Sequence, residues 1–134
     1  MRVVVKIGTS SITTQEGNIN SAAVSALCDE VAKLRSLGHE VLVVTSGAVA
    51  GGVAALKLGK RPTDMPTLQA LAAAGQSRLM QEYNVQLDRH DLVGAQVLLV
   101  PNDFIDRNQY LHARQTLVRL LELGCVPVIN ENDA

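Results

Sequence analysis

Short apolar runs rich in β-branched residues alternate with longer amphipathic segments along this sequence, and this alternation limits the folds open to the chain. Four runs have the length and composition of strands: "RVVVKI" (2–7), "HEVLVVTSG" (39–47), "VGAQVLLV" (93–100) and "CVPVIN" (125–130). Between them, three segments repeat apolar residues at steps of three and four, as helices do: 20–37, 67–90 and 108–124. The pattern predicts an α/β fold with a mainly parallel sheet and helices on both faces, in three α/β/α layers.

Several local features refine this prediction. The first run is expected to be a strand buried on both faces, because it has no polar alternation. "AVAGGVAALKL" (48–58) is expected to continue as a helix despite its two adjacent glycines, whereas Gly75 interrupts the pattern of the next helix. "KRPTDMP" (60–66) is the one long loop expected, and Pro127 removes a ladder hydrogen bond from the last strand.

Composition narrows the possible partners. The 134 residues include 12 Lys and Arg against 13 Asp and Glu, a net charge of −1, with no run of like charge. Such a surface argues against nucleic acid and membranes as partners, and only three aromatic residues occur. Cys28 and Cys125 lack metal-ligand spacing and are expected to be buried, reduced thiols. Without a secretory signal pattern, the chain is expected to be cytoplasmic, as one domain or part of one.

The ends of the predicted strands are where a ligand is expected, because open α/β sheets bind ligands beyond the carboxyl ends of their strands. The first strand ends in "KIGTSS", in which Lys6 supplies a positive charge before Gly8, Thr9 and Ser10. Backbone amides and hydroxyls in such a turn suit a phosphate group. The alternative is a plain strand-to-loop turn with Lys6 in solvent, because the segment matches no P-loop motif.

Two other strand ends are also polar. Ser46 and Gly47 precede a helix, whose positive end favours a carboxylate or phosphate; an ordinary N-cap serine is the alternative. The fourth strand ends in a mixed set of amides and carboxylates that suits a ligand with an ammonium group: Asn130, Glu131, Asn132 and Asp133. A solvated polar loop is the alternative for that set. The three histidines are scattered without metal-ligand spacing, so no metal site is predicted from them.

Six motifs, in register over nearly the whole chain, resemble the N-terminal half of the amino acid kinase family, in its branch that phosphorylates glutamate. They are "VVVKIGTSSIT", "VLVVTSGAVAGG", "LAAAGQSRLMQ", "GAQVLL", "YLHARQTL" and "LGCVPVINENDA". Two positions depart from the family's pattern: His112 stands where Asn is usual, and Val100 stands where Thr commonly follows "LL".

This resemblance implies transfer of the γ-phosphoryl group of ATP to the side-chain carboxylate of L-glutamate, giving γ-glutamyl phosphate in the first step of proline biosynthesis. It also implies Mg²⁺, proline as a feedback inhibitor, and a homo-oligomer at full length. By resemblance, Lys6 is the catalytic cation that neutralises the phosphoryl group. The remaining implied contacts are Gly8, Thr9 and Ser10 for ATP phosphate, and Ser46, Gly47, Asn130 and Asp133 for glutamate.

In the family, the chain continues past "NENDA" into the remainder of the nucleotide site. Residues 1–134 are therefore expected to be a truncated domain: the N-terminal, acceptor-substrate part, without the nucleotide-binding half or a C-terminal domain, and inactive alone. Two alternatives stay open: a non-catalytic module that binds glutamate or proline, and a family member that phosphorylates another acceptor.

Overall fold

The computed structural model of the chain describes residues 1–131, which form alternating strands and helices. The strands are β1 (Arg2–Lys6), β2 (Glu40–Val44), β3 (Gly94–Leu99) and β4 (Val126–Glu131). The helices are α1 (Thr9–Ile12), α2 (Ser21–Ser36), α3 (Ala48–Ala55), α4 (Met65–Asp88), α5 (Asn102–Ile105) and α6 (Arg107–Glu122).

The strands form one parallel sheet in the order β1-β2-β4-β3. The chain crosses the sheet in one direction from β1 to β2 to β3 and then returns from β3 to β4. Because such crossovers are right-handed, α2, α3 and α4 lie on one face and α6 on the other. The contacts agree, since α2 packs against α4 and α6 packs against β4. The predicted α/β fold, a parallel sheet with helices on both faces, is confirmed.

The main core lies between the sheet and the helices α2 and α4. Its central side chains are at most 2% exposed: Val24, Val31, Val41, Val43, Leu79, Tyr83, Leu87, Val126 and Val128. Full burial of such a side chain contributes about 1.5–3 kcal/mol, so this aliphatic layer supplies most of the stabilisation that the chain can draw on. Tyr83 is the aromatic member of the cluster and is fully buried.

The ends of α2 and α4 have specific caps. The Asn20 side chain accepts a hydrogen bond from the Ala23 amide at the start of α2, and Gly38 follows its end with φ of 89°, a value that favours glycine. Asp64 caps α4 by accepting from Thr67, whose hydroxyl and amide hold the pKa of that carboxyl below its usual value. The helix therefore begins inside the loop expected at 60–66, and the prediction of that loop's end was wrong.

Two glycines allow an unusually close crossing of α3 and α4. A Cβ on Gly75 would lie 1.7 Å from the Ala48 carbonyl oxygen, and a Cβ on Gly52 would lie 2.2 Å from that of Leu71. Backbone therefore packs directly on backbone at this crossing. Gly75 does not interrupt the helix, since α4 runs through it without a break.

The prediction that the first strand is buried on both faces is wrong. Val4 is 62% exposed, and Lys6 on the same face is exposed as well. In the described part of the chain, β1 is the edge strand, and only its other face, with Val5, packs against the core. A run of valines indicates a strand but does not reveal how many of its faces are covered.

Pro127 lies in an interior strand yet disturbs the sheet little. The Val126 amide donates to the Val93 carbonyl on the β3 side at 2.8 Å. Because successive residues of a parallel strand point their amides to opposite neighbours, the Pro127 nitrogen faces β2. There the ladder begins one residue later, where Val128 pairs with Val43. The amide hydrogen that Pro127 lacks therefore falls before the start of the ladder with β2, and no ladder hydrogen bond is lost.

Candidate functional site

The carboxyl ends of β2, β3 and β4 surround a cavity of about 490 Å³. Its walls come from the strand ends and from the start of α5: Val44, Thr45, Ser46, Leu99, Val100, Pro101, Phe104, Ile129, Asn130 and Glu131. Parallel strands bring their carboxyl ends to one edge, which is why Ser46 and Asn130, far apart in sequence, meet here. Two of the predicted contacts, Ser46 and Asn130, line this cavity. The end of the third predicted strand was expected at this edge, but its apolar side chains were not singled out as contacts: Leu99, Val100, Pro101 and Phe104.

Ser46 links the ends of β1 and β2. Its Oγ accepts a hydrogen bond from Thr9 Oγ1 at 2.9 Å and donates to the Ile7 carbonyl oxygen at 3.4 Å. The N-cap of α3 is Gly47, and no side chain caps that helix. The alternative interpretation of Ser46 as an ordinary N-cap is therefore wrong, and its hydroxyl joins the loop after β1 instead.

Gly47 is required on two counts. Its φ of 103° lies in the left-handed region, which strains any residue with a Cβ. A Cβ there would also lie only 3.1 Å from Ile12 Cγ2, at the end of α1. The chain therefore turns sharply from β2 into α3 while staying in contact with the segment that follows Lys6.

The segment after β1 is open to solvent. Lys6, Gly8, Thr9 and Ser10 are all exposed, and no atom lies within 4 Å of the position that a Cβ on Gly8 would take. The amides of Thr9 and Ser10 stand in the first turn of α1, where no acceptor exists within the helix. Within residues 1–131, Lys6 makes no ion pair. The exposure of Lys6 is compatible both with a phosphate partner and with the plain solvated turn.

Asn130 is 7% exposed, and hydrogen bonds hold both ends of its amide. Its Oδ1 accepts from the Glu131 amide at 2.8 Å, and its Nδ2 donates to Gln76 Oε1 of α4, also at 2.8 Å. Gln76 Nε2 in turn donates to Gln96 Oε1 of β3 at 3.3 Å. Sequence reasoning missed Gln76. Its signal was a polar residue on the buried stripe of α4, between Ala72 and Leu79.

A second buried hydrogen bond joins α4 to the end of β2. The Tyr83 hydroxyl donates to Thr45 Oγ1 at 2.8 Å, beside Ser46. Burial raises the pKa of Tyr83 to about 12, and the hydrogen bond to Thr45 opposes part of that rise. The phenol therefore stays neutral and acts as a fixed donor.

The other candidates contribute less to this edge. Cys28 and Cys125 are free thiols, as expected, but only Cys28 is buried. Burial, aided by the nearby Asp29, raises the pKa of the Cys28 thiol to about 12, so it is not a nucleophile. Asp133 lies outside the described residues. Across residues 1–131, no group of three or more His, Cys, Asp or Glu side chains could hold a metal ion, and no helix is both long and apolar enough to cross a membrane.

The fold and this edge define a class of protein: a parallel α/β domain with a cavity at the carboxyl ends of its strands and a lysine followed by a glycine turn at the end of the neighbouring strand. The model of the amino acid kinase family matches residues 1–134, and the chain belongs to that family.

Several curated relatives are similar over nearly the whole chain, and each is a glutamate 5-kinase. The protein of Thermobifida fusca (strain YX) is 47% identical over 132 residues, 98% of this chain and 34% of the relative. That of Trichlorobacter lovleyi is 49% identical over 133 residues, 99% of this chain and 35% of the relative. That of Streptococcus pneumoniae (strain Hungary19A-6) is 44% identical over 133 residues, which are 99% of this chain and 36% of the relative. The chain spans about a third of the length of the curated relatives that it matches.

Proposed function

We propose that residues 1–134 form the acceptor-substrate part of a kinase domain that phosphorylates the side-chain carboxylate of L-glutamate. The product is γ-glutamyl phosphate, and the setting is the first step of proline biosynthesis in the cytoplasm. The observation that supports this most is the sequence identity of 44–49% to proteins named glutamate 5-kinase. In this proposal, the nucleotide-binding half belongs to the length that those relatives have and residues 1–134 do not.

The reaction needs positioning and charge stabilisation more than a covalent catalyst. A γ-carboxylate oxygen of glutamate attacks the γ-phosphorus of ATP, a new O–P bond forms, and the bond to the ADP oxygen breaks as ADP takes its electron pair. Lys6 neutralises the charge that spreads over the phosphoryl oxygens. Gly8 lets the backbone approach those oxygens, and the free amides of Thr9 and Ser10 donate to them.

The glutamate itself is held at the carboxyl ends of β2 and β4. Ser46 and Gly47 face its carboxylates through a hydroxyl and the backbone at the start of α3, and Asn130 supplies an oriented amide. Asp133 pairs with the ammonium group. When bound, Mg²⁺ would offset the charge of the phosphate groups, but the described residues offer no cluster of His, Cys, Asp or Glu side chains that fits the ion. We therefore assign it no ligand in this chain.

Further properties of the whole protein belong to the same proposal. We expect ATP and Mg²⁺ as the cofactor pair, feedback inhibition by proline, and assembly of the full-length protein into a homo-oligomer. We expect residues 1–134 alone to bind glutamate without turning it over, because the remaining length of the relatives is needed for the nucleotide.

The test compares the protein as its gene encodes it with residues 1–134 alone. Each is given ATP, Mg²⁺, glutamate and hydroxylamine, and glutamyl hydroxamate is measured. We expect product from the gene-encoded protein only. Steady turnover by residues 1–134 would show that the site is complete within them. Turnover with another carboxylate or phosphate acceptor, but not with glutamate, would contradict the assigned substrate.

A substitution separates binding from a purely regulatory role. Asp133→Ala should raise the KM for glutamate by about a factor of ten to a hundred, because the ammonium group loses a charged partner. Asp88→Ala, on the exposed end of α4, is the matched control and should change nothing. If the gene-encoded protein binds glutamate or proline in calorimetry but phosphorylates no acceptor, the chain belongs to a binding module instead.

A further inference from the structure

The geometry points to Gln76 of α4 as a positioning residue that fixes the orientation of the Asn130 amide, an inference that rests on the proposed role of Asn130 in binding glutamate. Gln76 is only 9% exposed and does not line the cavity at the strand ends. It reaches the site through Asn130, whose Nδ2 donates to Gln76 Oε1 at 2.8 Å. Gln76 therefore acts on a ligand contact without touching the ligand.

The orientation of each amide in this chain of hydrogen bonds follows from its neighbour. A backbone N–H can only donate, so the atom of Asn130 that meets the Glu131 amide at 2.8 Å must be the oxygen. The nitrogen of Asn130 then faces Gln76, which must present its own oxygen. The nitrogen of Gln76 is left facing Gln96, which accepts at 3.3 Å. One backbone donor thus sets three side-chain amides.

The Glu131 amide alone favours one orientation of the Asn130 amide, and Gln76 adds a second hydrogen bond that a half-turn rotation of Asn130 would break. With Gln76 in place, the remaining hydrogen on Asn130 Nδ2 and the remaining lone pair on Oδ1 keep fixed directions at the carboxyl end of β4. A ligand then meets a preset pattern instead of having to order it on binding. Gln76 is buried on the α4 face and held at both ends, as a positioning role requires.

The experiment uses three variants of the gene-encoded protein. Gln76→Met keeps the volume but removes both hydrogen bonds, and Gln69→Met makes the same change at an exposed site of α4. Gln76→Glu is the conservative variant, because burial favours its neutral acid, whose carbonyl accepts from Asn130 and whose hydroxyl donates to Gln96. If Gln76→Met does not fold, Gln76→Asn, which is shorter by one methylene and cannot span both partners, replaces it.

We expect Gln76→Met to raise the KM for glutamate roughly tenfold with kcat within about twofold, because a single hydrogen-bonded orientation is lost. Gln69→Met should match wild type, and Gln76→Glu should stay within about threefold of it. An unchanged KM in Gln76→Met, or a fall in kcat alone, would overturn the inference. So would equal impairment of Gln76→Glu and Gln76→Met.

A second readout separates this inference from the proposed function. The side-chain amide signals of Asn130 in the NMR spectrum should exchange with water more quickly in Gln76→Met than in wild type, and as in wild type in Gln69→Met. If no acceptor is phosphorylated, the proposed function fails, and these signals still decide whether Gln76 holds Asn130. Identical exchange in wild type and Gln76→Met would refute the positioning role.

Discussion

On the α4 face of the sheet, buried hydrogen bonds hold the strand ends, whereas on the opposite face the same edge is open to solvent. Tyr83 and Gln76 reach from α4 to the ends of β2 and β4. On the other face, Lys6 and Val4 of β1 are exposed, and the Phe104 side chain is 65% exposed at the cavity wall.

This difference indicates two physical roles at one edge. The α4 face presents groups whose directions are set before any ligand arrives, which suits recognition of a small polar substrate. The open face carries a mobile charge on a flexible stem, and a lysine there can follow a group that changes its charge during a reaction. In the proposed function, the first face holds the acceptor and the second meets the phosphoryl group.

Gly75→Ala is the change expected to damage the α4 face most. Its new methyl group would overlap the Ala48 carbonyl oxygen, and backbone cannot move aside as a side chain can. We expect a loss of about 3 kcal/mol or more, which would lower the urea unfolding midpoint strongly. Gly8→Ala is the control, because its Cβ would meet open space and its φ is −85°. Urea unfolding followed by circular dichroism measures both, and equal midpoints would disprove the tight crossing.

Lys6→Ala tests the open face. We expect kcat of the gene-encoded protein to fall roughly 10²–10³-fold, because a charge that stabilises the transition state is removed, while the KM for glutamate changes little. The unfolding midpoint should hold, since the Lys6 side chain is exposed. Lys33→Ala, an exposed lysine on α2, is the control. Unchanged turnover in Lys6→Ala would leave the solvated turn as the better interpretation.

Tyr83→Phe should cost about 1 kcal/mol at pH 7, because Thr45 loses its buried partner. It should also reduce the loss of stability at alkaline pH. Since burial raises the Tyr83 pKa from 10.0 to about 12, the folded state retains a proton that the unfolded state releases. That stabilising contribution is complete below pH 10 and is lost between pH 10 and 12. Tyr110→Phe, at a 46% exposed site, should alter neither the neutral nor the alkaline unfolding midpoint.

Val4→Thr should have the smallest effect. On the open face of β1 the change should stay within about 0.5 kcal/mol, whereas Val43→Thr, at a site 1% exposed, should cost about 1–3 kcal/mol. Chemical unfolding of residues 1–134 measures both. A loss above about 1 kcal/mol at Val4 would mean that the open face is covered in solution, and the contrast between the two faces would then disappear.

Most of the fold followed from the sequence because its signals are local. The strand "HEVLVVTSG" contains β2, and the helix expected over 20–37 contains α2, with Asn20 and Gly38 at its ends. The apolar periodicity, the capping residues and the terminal glycine of a helix lie close together in sequence, so they can be recognised without the tertiary structure. The sequence did not reveal how many faces of β1 are covered at Val4, because that depends on the order of the strands in the sheet.

The site followed only in part. The sequence drew attention to Ser46 and Asn130, and both line the cavity, while their roles and those of Lys6 and Asp133 stay predictions. The hydrogen bonds of Gln76 and Tyr83 were not predicted, because the sequence of α4 shows only helical spacing, in which Tyr83 counts as an apolar position. Their partners lie 54 and 38 residues away in sequence. Gly75 was expected to interrupt its helix, because the residue that it packs against, Ala48, lies on another helix.

The strand order also sets the sequence of events when the chain is made. β4 is last in sequence but lies between β2 and β3, so β3 has no neighbour among the described strands until residues 126–131 arrive. A chain still on the ribosome can close the β1-α2-β2 unit early, while β3 stays unpaired. Pairing of β3 with its neighbour therefore waits for residues 126–131, and pauses in translation before that segment would prolong the exposure of an unpaired strand edge.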